Sequence, residues 1–299
     1  MHREIAVWLT GHPWRAAIAS AVCGALSQVT APFVVLAGAI PVLVALRFDL
    51  RYAFAMAVTA TTAASWVALS AEPPLGGWFF FGIGLLFFGP MLLAWLLRRA
   101  ASLNLIFQVA VLGMAALLTV LHLSLPDATG MWLGLLNDMY VSLTKAGLVI
   151  EGDQAVIVAA WARLMWGTLA ALVLATGFSS LLLGRWWQSL LDAPGTFGVE
   201  YRQLRLGRTL GIATTVLFIA ALAVDSALIA SLAWVAFAAL AFQGLAAAHR
   251  SKAVGRLNRG WLVAIYVLLV ALPVTWVVVF MLAIWGFADN WLRPRTLLN

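Results

Sequence analysis

The charged residues of this chain fall at intervals that leave apolar stretches long enough to cross a lipid bilayer, and that spacing constrains the fold more than any motif does. Apolar runs lie near 14–30, 31–46, 52–70, 78–97, 103–123, 155–183, 209–225, 227–248 and 261–288. A hydrocarbon core about 30 Å thick needs roughly 20 helical residues per crossing. Only 10% of the residues are charged against 64% hydrophobic, and the mean hydropathy is +1.01, so lipid is the solvent for most of the chain. The runs are continuously apolar. They lack the period-two alternation of a membrane barrel, and the fold class they predict is all-α, a polytopic transmembrane helical bundle. The expected count is nine membrane helices, or eight if 14–30 and 31–46, which meet at Pro32, form a single re-entrant element rather than a tight hairpin.

Basic residues predict the orientation. All of the 18 Lys and Arg except Lys145, Arg163, Arg293 and Arg295 fall in the groups Arg3/Arg15, Arg47/Arg51, Arg98/Arg99, Arg185 with Arg202/Arg205/Arg208, and Arg250/Lys252/Arg256/Arg259. Placing these groups in the cytoplasm satisfies the positive-inside tendency. It leaves Glu72, Asp127, Asp138, Glu151, Asp153 and Asp225 outside. The expected location is thus a bacterial inner membrane, multi-pass, with the N-terminus cytoplasmic. Nine spans put Arg293 and Arg295 outside, against the rule. Tryptophans such as Trp14, Trp95 and Trp261 fall near expected span ends, where an amphipathic ring prefers to sit. The net charge of +7 comes from these juxtamembrane groups and does not point to nucleic acid. The first apolar stretch lacks the pattern of a cleaved signal peptide and is expected to remain as a helix.

Residues 1–299 read as one integral membrane domain with two regions that do not span. Over 124–154, Trp132, Leu135, Leu136, Met139, Leu143 and Leu148 oppose Asn137, Asp138, Ser142 and Lys145, the pattern of an amphipathic helix. Its expected place is along the outer membrane surface. The second region, at 184–208, reads as a cytoplasmic loop. A Pro194-Gly195 turn there follows Arg185, Trp186, Trp187 and Gln188.

This second region carries a family resemblance. Gly184-Arg185-Trp186-Trp187-Gln188, then Pro194-Gly195, Phe197, Glu200-Tyr201 and Leu204-Arg205-Leu206 resemble the cytoplasmic loop of the YybS-like family of bacterial membrane proteins. Leu46-Arg47, Phe242-Gln243-Gly244-Leu245-Ala246 running to His249, and Gly286 with Asp289, Trp291 and Arg295 extend the likeness over nearly the whole chain. Ala193 and Arg293-Pro294 depart from the family pattern. The resemblance implies a domain without an assigned activity. It also implies a distant likeness of fold to the substrate-binding components of energy-coupling-factor transporters, and fold does not carry function with it.

Arg163 is the leading candidate for a ligand-binding residue. About 12 Å into the 155–183 run, an arginine costs about 2.5–3.5 kcal/mol even on lenient insertion scales. It is expected either to face a cavity and bind an anion, with Asp225 or Asp289 as partner, or to be neutralised structurally. His122 and Gln243 are further candidates for a cavity lining. Asn104 and Gln108, four residues apart, suit an interhelical hydrogen bond. Ala17/Ala21/Ala25 and Ala53/Ala57/Thr61/Ser65 repeat at the spacing that lets helices approach closely in lipid, and Gly82, Gly84, Gly89 and Pro90 suggest close contact and a kink. Arg185, Trp186, Trp187, Gln188, Pro194, Gly195, Glu200 and Arg205 form a candidate docking surface for another membrane or cytoplasmic protein.

Nothing in the sequence suggests catalysis. The single cysteine, Cys23, and the scattered His2, His12, His122 and His249 give no metal spacing, and no phosphate loop or nucleophile motif is present. The chain is therefore read as a non-enzyme without cofactor or metal. The expected function is a solute-binding or transport-related component with a pocket between helices. The alternative is a non-enzymatic membrane scaffold or accessory subunit that docks a partner through its cytoplasmic loop. A third reading, lipid handling, requires a cavity that opens sideways into the bilayer.

Overall fold

The computed structural model describes residues 2–70, 77–149, 151–271 and 274–292; Glu72, Arg293 and Arg295 lie outside them. Among the described residues there are thirteen helices and no strands. They fall into two compact units, Met1–Ala110 with Val173–Arg205, and Val111–Leu172 with Leu206–Asn299.

The first unit holds α1 (His2–Gly11), α2 (Pro13–Leu26), α3 (Ala31–Arg47), α4 (Leu50–Leu69), α5 (Gly77–Ala100), the start of α6 (Leu103–Ser124), the later half of α8 (Gln154–Asp192) and α9 (Thr196–Arg202). Its centre is α3, where every residue from Ala37 to Leu46 is buried. A helix that is apolar all round can only be stable when it is covered on every side, and α2, α4 and α5 pack against it. The remaining side is α8, where a Cβ on Gly38 would strike Ser180 and one on Gly184 would strike Val42.

The small-residue stripes exist, but they are rotated from the expected positions. On α2 the buried residues are Ala16, Ser20 and Gly24; on α4 they include Ala53, Ala57, Ala60, Ala64 and Ala68. Gly24 lies directly on the Ala60 backbone. Thus Ala17, Ala21, Ala25, Thr61 and Ser65 flank the contact. A second correction concerns α5, where a Cβ on Gly82 or Gly84 would meet nothing. These glycines do not mediate close packing, and α5 runs on through Pro90.

In this unit the basic residues gather at one end. Arg47 reaches Thr10 at 3.2 Å and Asp192 at 3.2 Å. Arg98 donates to the carbonyl oxygens of Ala45 and Phe48, which the end of α3 leaves without helical partners.

The second unit holds the rest of α6, α7 (Gly130–Lys145), the first half of α8, α10 (Gly207–Ala223), α11 (Ala227–Ala253), α12 (Arg259–Val270) and α13 (Thr275–Leu292). The amphipathic helix expected within 124–154 is α7, and it packs on the first half of α8. Leu136 and Tyr140 form a core with Val158 and Ala162. Trp132 meets Trp166 edge-on, and Gln154 donates to Asn137. Early residues of α7 thus meet later residues of α8, so the two run antiparallel as a hairpin. Leu136 and Tyr140 are thereby buried, while Leu135 and Met139 on the same helix stay exposed. At 39 residues, α8 is about 58 Å long, far longer than a hydrocarbon core, and leaves room for such an extension.

The 261–288 run is also not one helix. Asn258 caps α12 by accepting from the Trp261 N–H, and α12 stops at Ala271, whose carbonyl takes the N–H groups of Val274 and Thr275. Pro273, outside the described residues, has no N–H to give a continuous helix. Four rungs then fix the direction of α13 against α11. Trp276 meets Trp234, Phe280 meets Phe237, Gly286 accepts from Gln243, and Asp289 pairs with Arg250. The two helices run parallel. Gly244 sits on the Leu282 backbone and Gly286 on that of Leu240, so the helices touch backbone to backbone.

Among the described residues six helices are long and apolar enough to cross a membrane: α4, α5, α6, α8, α11 and α13; counting α9 with α10 as one broken span gives seven. Helices α3 and α12 are apolar but shorter. The expected nine would require the shorter helices to cross as well.

Candidate functional site

Arg163 is paired with Asp225, one of its two expected partners. Asp225 lies between α10 and α11, and its side chain is 85% exposed against 33% for Arg163. The carboxylate therefore marks the end of those helices, and Arg163 is level with it. The long α8 and its hairpin partner α7 supply the extra length.

Asp289 is corrected as a partner for Arg163, because it pairs with Arg250. Asp225 and Arg250 flank opposite ends of α11, more than 30 Å apart at 1.5 Å per residue. Gln243 is fully buried, and its role is to join backbones. Its side chain accepts from the Leu206 N–H at 2.8 Å and donates to the Gly286 carbonyl at 3.0 Å and to Asn290 at 3.4 Å. Asn290 in turn holds both the N–H and the carbonyl of Gly207. His122 lies on α6 with its Nδ1 3.0 Å from the Leu118 carbonyl one turn earlier. Of the expected ligand-binding residues, Arg163 thus pairs with Asp225, Asp289 with Arg250, and Gln243 with backbone groups.

The region at 184–208 is mostly not a loop. Helix α8 continues to Asp192 and α9 occupies Thr196–Arg202, because Arg185 clamps the two together. Its guanidinium donates to both Glu200 carboxylate oxygens, at 3.0 and 2.5 Å, and to Gln188 at 2.7 Å. Such a two-pronged pair fixes direction as well as charge. Trp187 and Tyr201 are buried, and Trp186 lies against His2. Pro194 and Gly195 are exposed at the turn, where Gly195 takes φ +94°. Asn104 accepts from the Arg205 N–H and Gln108 donates to the Arg205 carbonyl, so the polar pair on α6 secures this segment. Arg205 itself remains exposed.

A shallow apolar groove of about 370 Å³ lies between α11 and α13, lined by Trp234, Phe237, Trp276, Val277 and Phe280. Trp276, Val277 and Phe280 are each more than half exposed, so it opens sideways from the helix pair. Among the described residues no group of three or more His, Cys, Asp or Glu is placed to hold a metal ion.

Sequence reasoning missed the groove, the Arg47–Asp192 pair and Asn290. Aromatic residues three apart at Trp234/Phe237 and four apart at Trp276/Phe280 were the signal for the groove. No family model, curated protein or solved structure matches this chain.

Proposed function

We propose that this multi-pass membrane protein is a non-enzymatic scaffold or accessory subunit of a bacterial inner membrane, and that it engages a protein partner through the elbow formed by the end of α8 and α9. The Arg185–Glu200–Gln188 clamp carries this reading. It holds a solvent-facing turn at Pro194-Gly195 and an exposed Val199 in one geometry, which lowers the ordering cost of binding. The positive-inside tendency supports a cytoplasmic setting for this elbow. The pairing of Arg163 with Asp225, of Asp289 with Arg250 and of Gln243 with backbone groups weighs against a polar solute pocket built from those residues. The YybS-like resemblance belongs with this proposal and adds no activity to it.

The test is a photoreactive amino acid at Val199 in living cells. The reading expects one recurring protein adduct, lost in Glu200→Ala although the variant still reaches the membrane. Adducts with lipid alone would contradict it.

A further inference from the structure

We infer that the second unit holds a phospholipid whose headgroup carries both a phosphate and an ammonium with N–H groups, its phosphate at Arg163, its ammonium at Asp225 and one acyl chain in the α11/α13 groove. Three observations meet here. The first is the ion pair. Arg163 has five N–H donors, and a single carboxylate engages at most two of them in a forked pair, so the guanidinium retains donors for a phosphate. Asp225 is almost entirely exposed and retains acceptor sites for an ammonium. Opposite charges in contact match a zwitterion and disfavour a purely anionic headgroup, which Asp225 would repel.

The second observation is depth. Helix α11 starts at Ala227, just after Asp225. Trp234 and Phe237 lie about 10–15 Å along its axis, within the first half of a hydrocarbon core measured from the charged level. A headgroup at the pair therefore places its chain at the level of the groove. The third is adjacency. Gly167, one turn beyond Arg163 and on the same face of α8, packs directly on Ser231 of α11. Ser231 precedes Trp234 by three residues, so the α8 face that bears Arg163 lies beside the α11 wall of the groove.

Any exposed apolar face in a bilayer is covered by lipid, and headgroup selectivity is what separates a site from that background. The experiment uses the full chain, with a benzoylphenylalanine in place of Val277, reconstituted in vesicles of equal amounts of phosphatidylethanolamine, phosphatidylcholine and phosphatidylglycerol. After illumination, the headgroups of the covalent adducts are read by mass spectrometry. Phosphatidylethanolamine is expected to exceed each of the others by about threefold to fivefold, the scale of one exposed ion pair. Asp225→Asn should still capture lipid but lose the preference over phosphatidylcholine, whose ammonium has no N–H, and Asp225→Glu should keep it. Adducts in proportion to vesicle composition, an excess of phosphatidylglycerol, or an unchanged preference in Asp225→Asn would each overturn the inference. If Asp225→Asn fails to reach the membrane, the proportions captured by the otherwise native chain decide the matter alone.

Discussion

Replacing Gly286 by alanine should destabilise this protein, whereas the same change at Gly82 should not. A Cβ on Gly286 would collide with the Leu240 carbonyl and come within 2.8 Å of the Gly244 nitrogen and 3.0 Å of the Leu240 carbonyl carbon. All of these are backbone atoms, so no side chain can rotate away, and α11 and α13 must separate. Inserting a methyl group into such a contact typically costs about 1–3 kcal/mol, equivalent to about a 5-fold to 150-fold shift in the folded-to-unfolded ratio. The cost includes weakening of the Gln243 bond to the Gly286 carbonyl, and the two losses are not independent. At Gly82 a Cβ meets nothing, so alanine there relieves the entropic cost of a helical glycine, about 0.5–1 kcal/mol. Equilibrium unfolding by titrating a denaturing detergent into mixed micelles, followed by circular dichroism, measures both. Equal stabilities for Gly286→Ala and Gly82→Ala, or a Gly286→Ala protein as stable as wild type, would refute the close-contact reasoning.

Three further outcomes follow from the same geometry. Glu200→Ala should leave the Arg185 guanidinium without its carboxylate and increase protease nicking near Pro194-Gly195, and the exchange Arg185→Glu with Glu200→Arg should restore part of the protection; equal nicking in all forms would remove the clamp from the account. Arg163→Lys should change stability by less than about 1 kcal/mol in the same detergent titration, since the Asp225 partner is largely exposed and lysine keeps the charge; a loss several times larger would contradict an exposed pair. Leu136→Ala should cost about 2–5 kcal/mol, because Leu136 is almost fully buried where α7 meets α8; an α7 not packed on α8 would lose far less.

Much of this architecture is legible in the sequence because charge cannot rest in hydrocarbon. The clusters at Arg47 and Arg98 end helices where expected, whereas Arg185 lies inside α8, and of the two partners expected for Arg163 the fold selects Asp225. Rotation about a helix axis is less legible. Ala16/Ser20/Gly24 and Ala17/Ala21/Ala25 have the same spacing, and only the position of α4 selects the first. The same holds for α7, whose apolar face can be covered equally by lipid or by α8. At 261–288 two signals were present, a run too long for one crossing and Pro273 within it. Their consequence, the return of Asp289 to Arg250, depends on glycines at 244 and 286 that admit two backbones in contact. That Asp289 turns to Arg250 and Gln243 to backbone groups was not legible, because polarity identifies residues that need partners without saying which partners they find.

The parallel course of α11 and α13 brings the chain back, at Leu292, to the end of the second unit that carries Arg250. Sided labelling tests this most directly. Single cysteines at Val224, Val254 and Leu292, all exposed, are introduced with Cys23→Ser and treated with a membrane-impermeant maleimide in sealed vesicles of known orientation. The account expects Val254 and Leu292 to react from the same side and Val224 from the other. Labelling of Leu292 together with Val224 would contradict it.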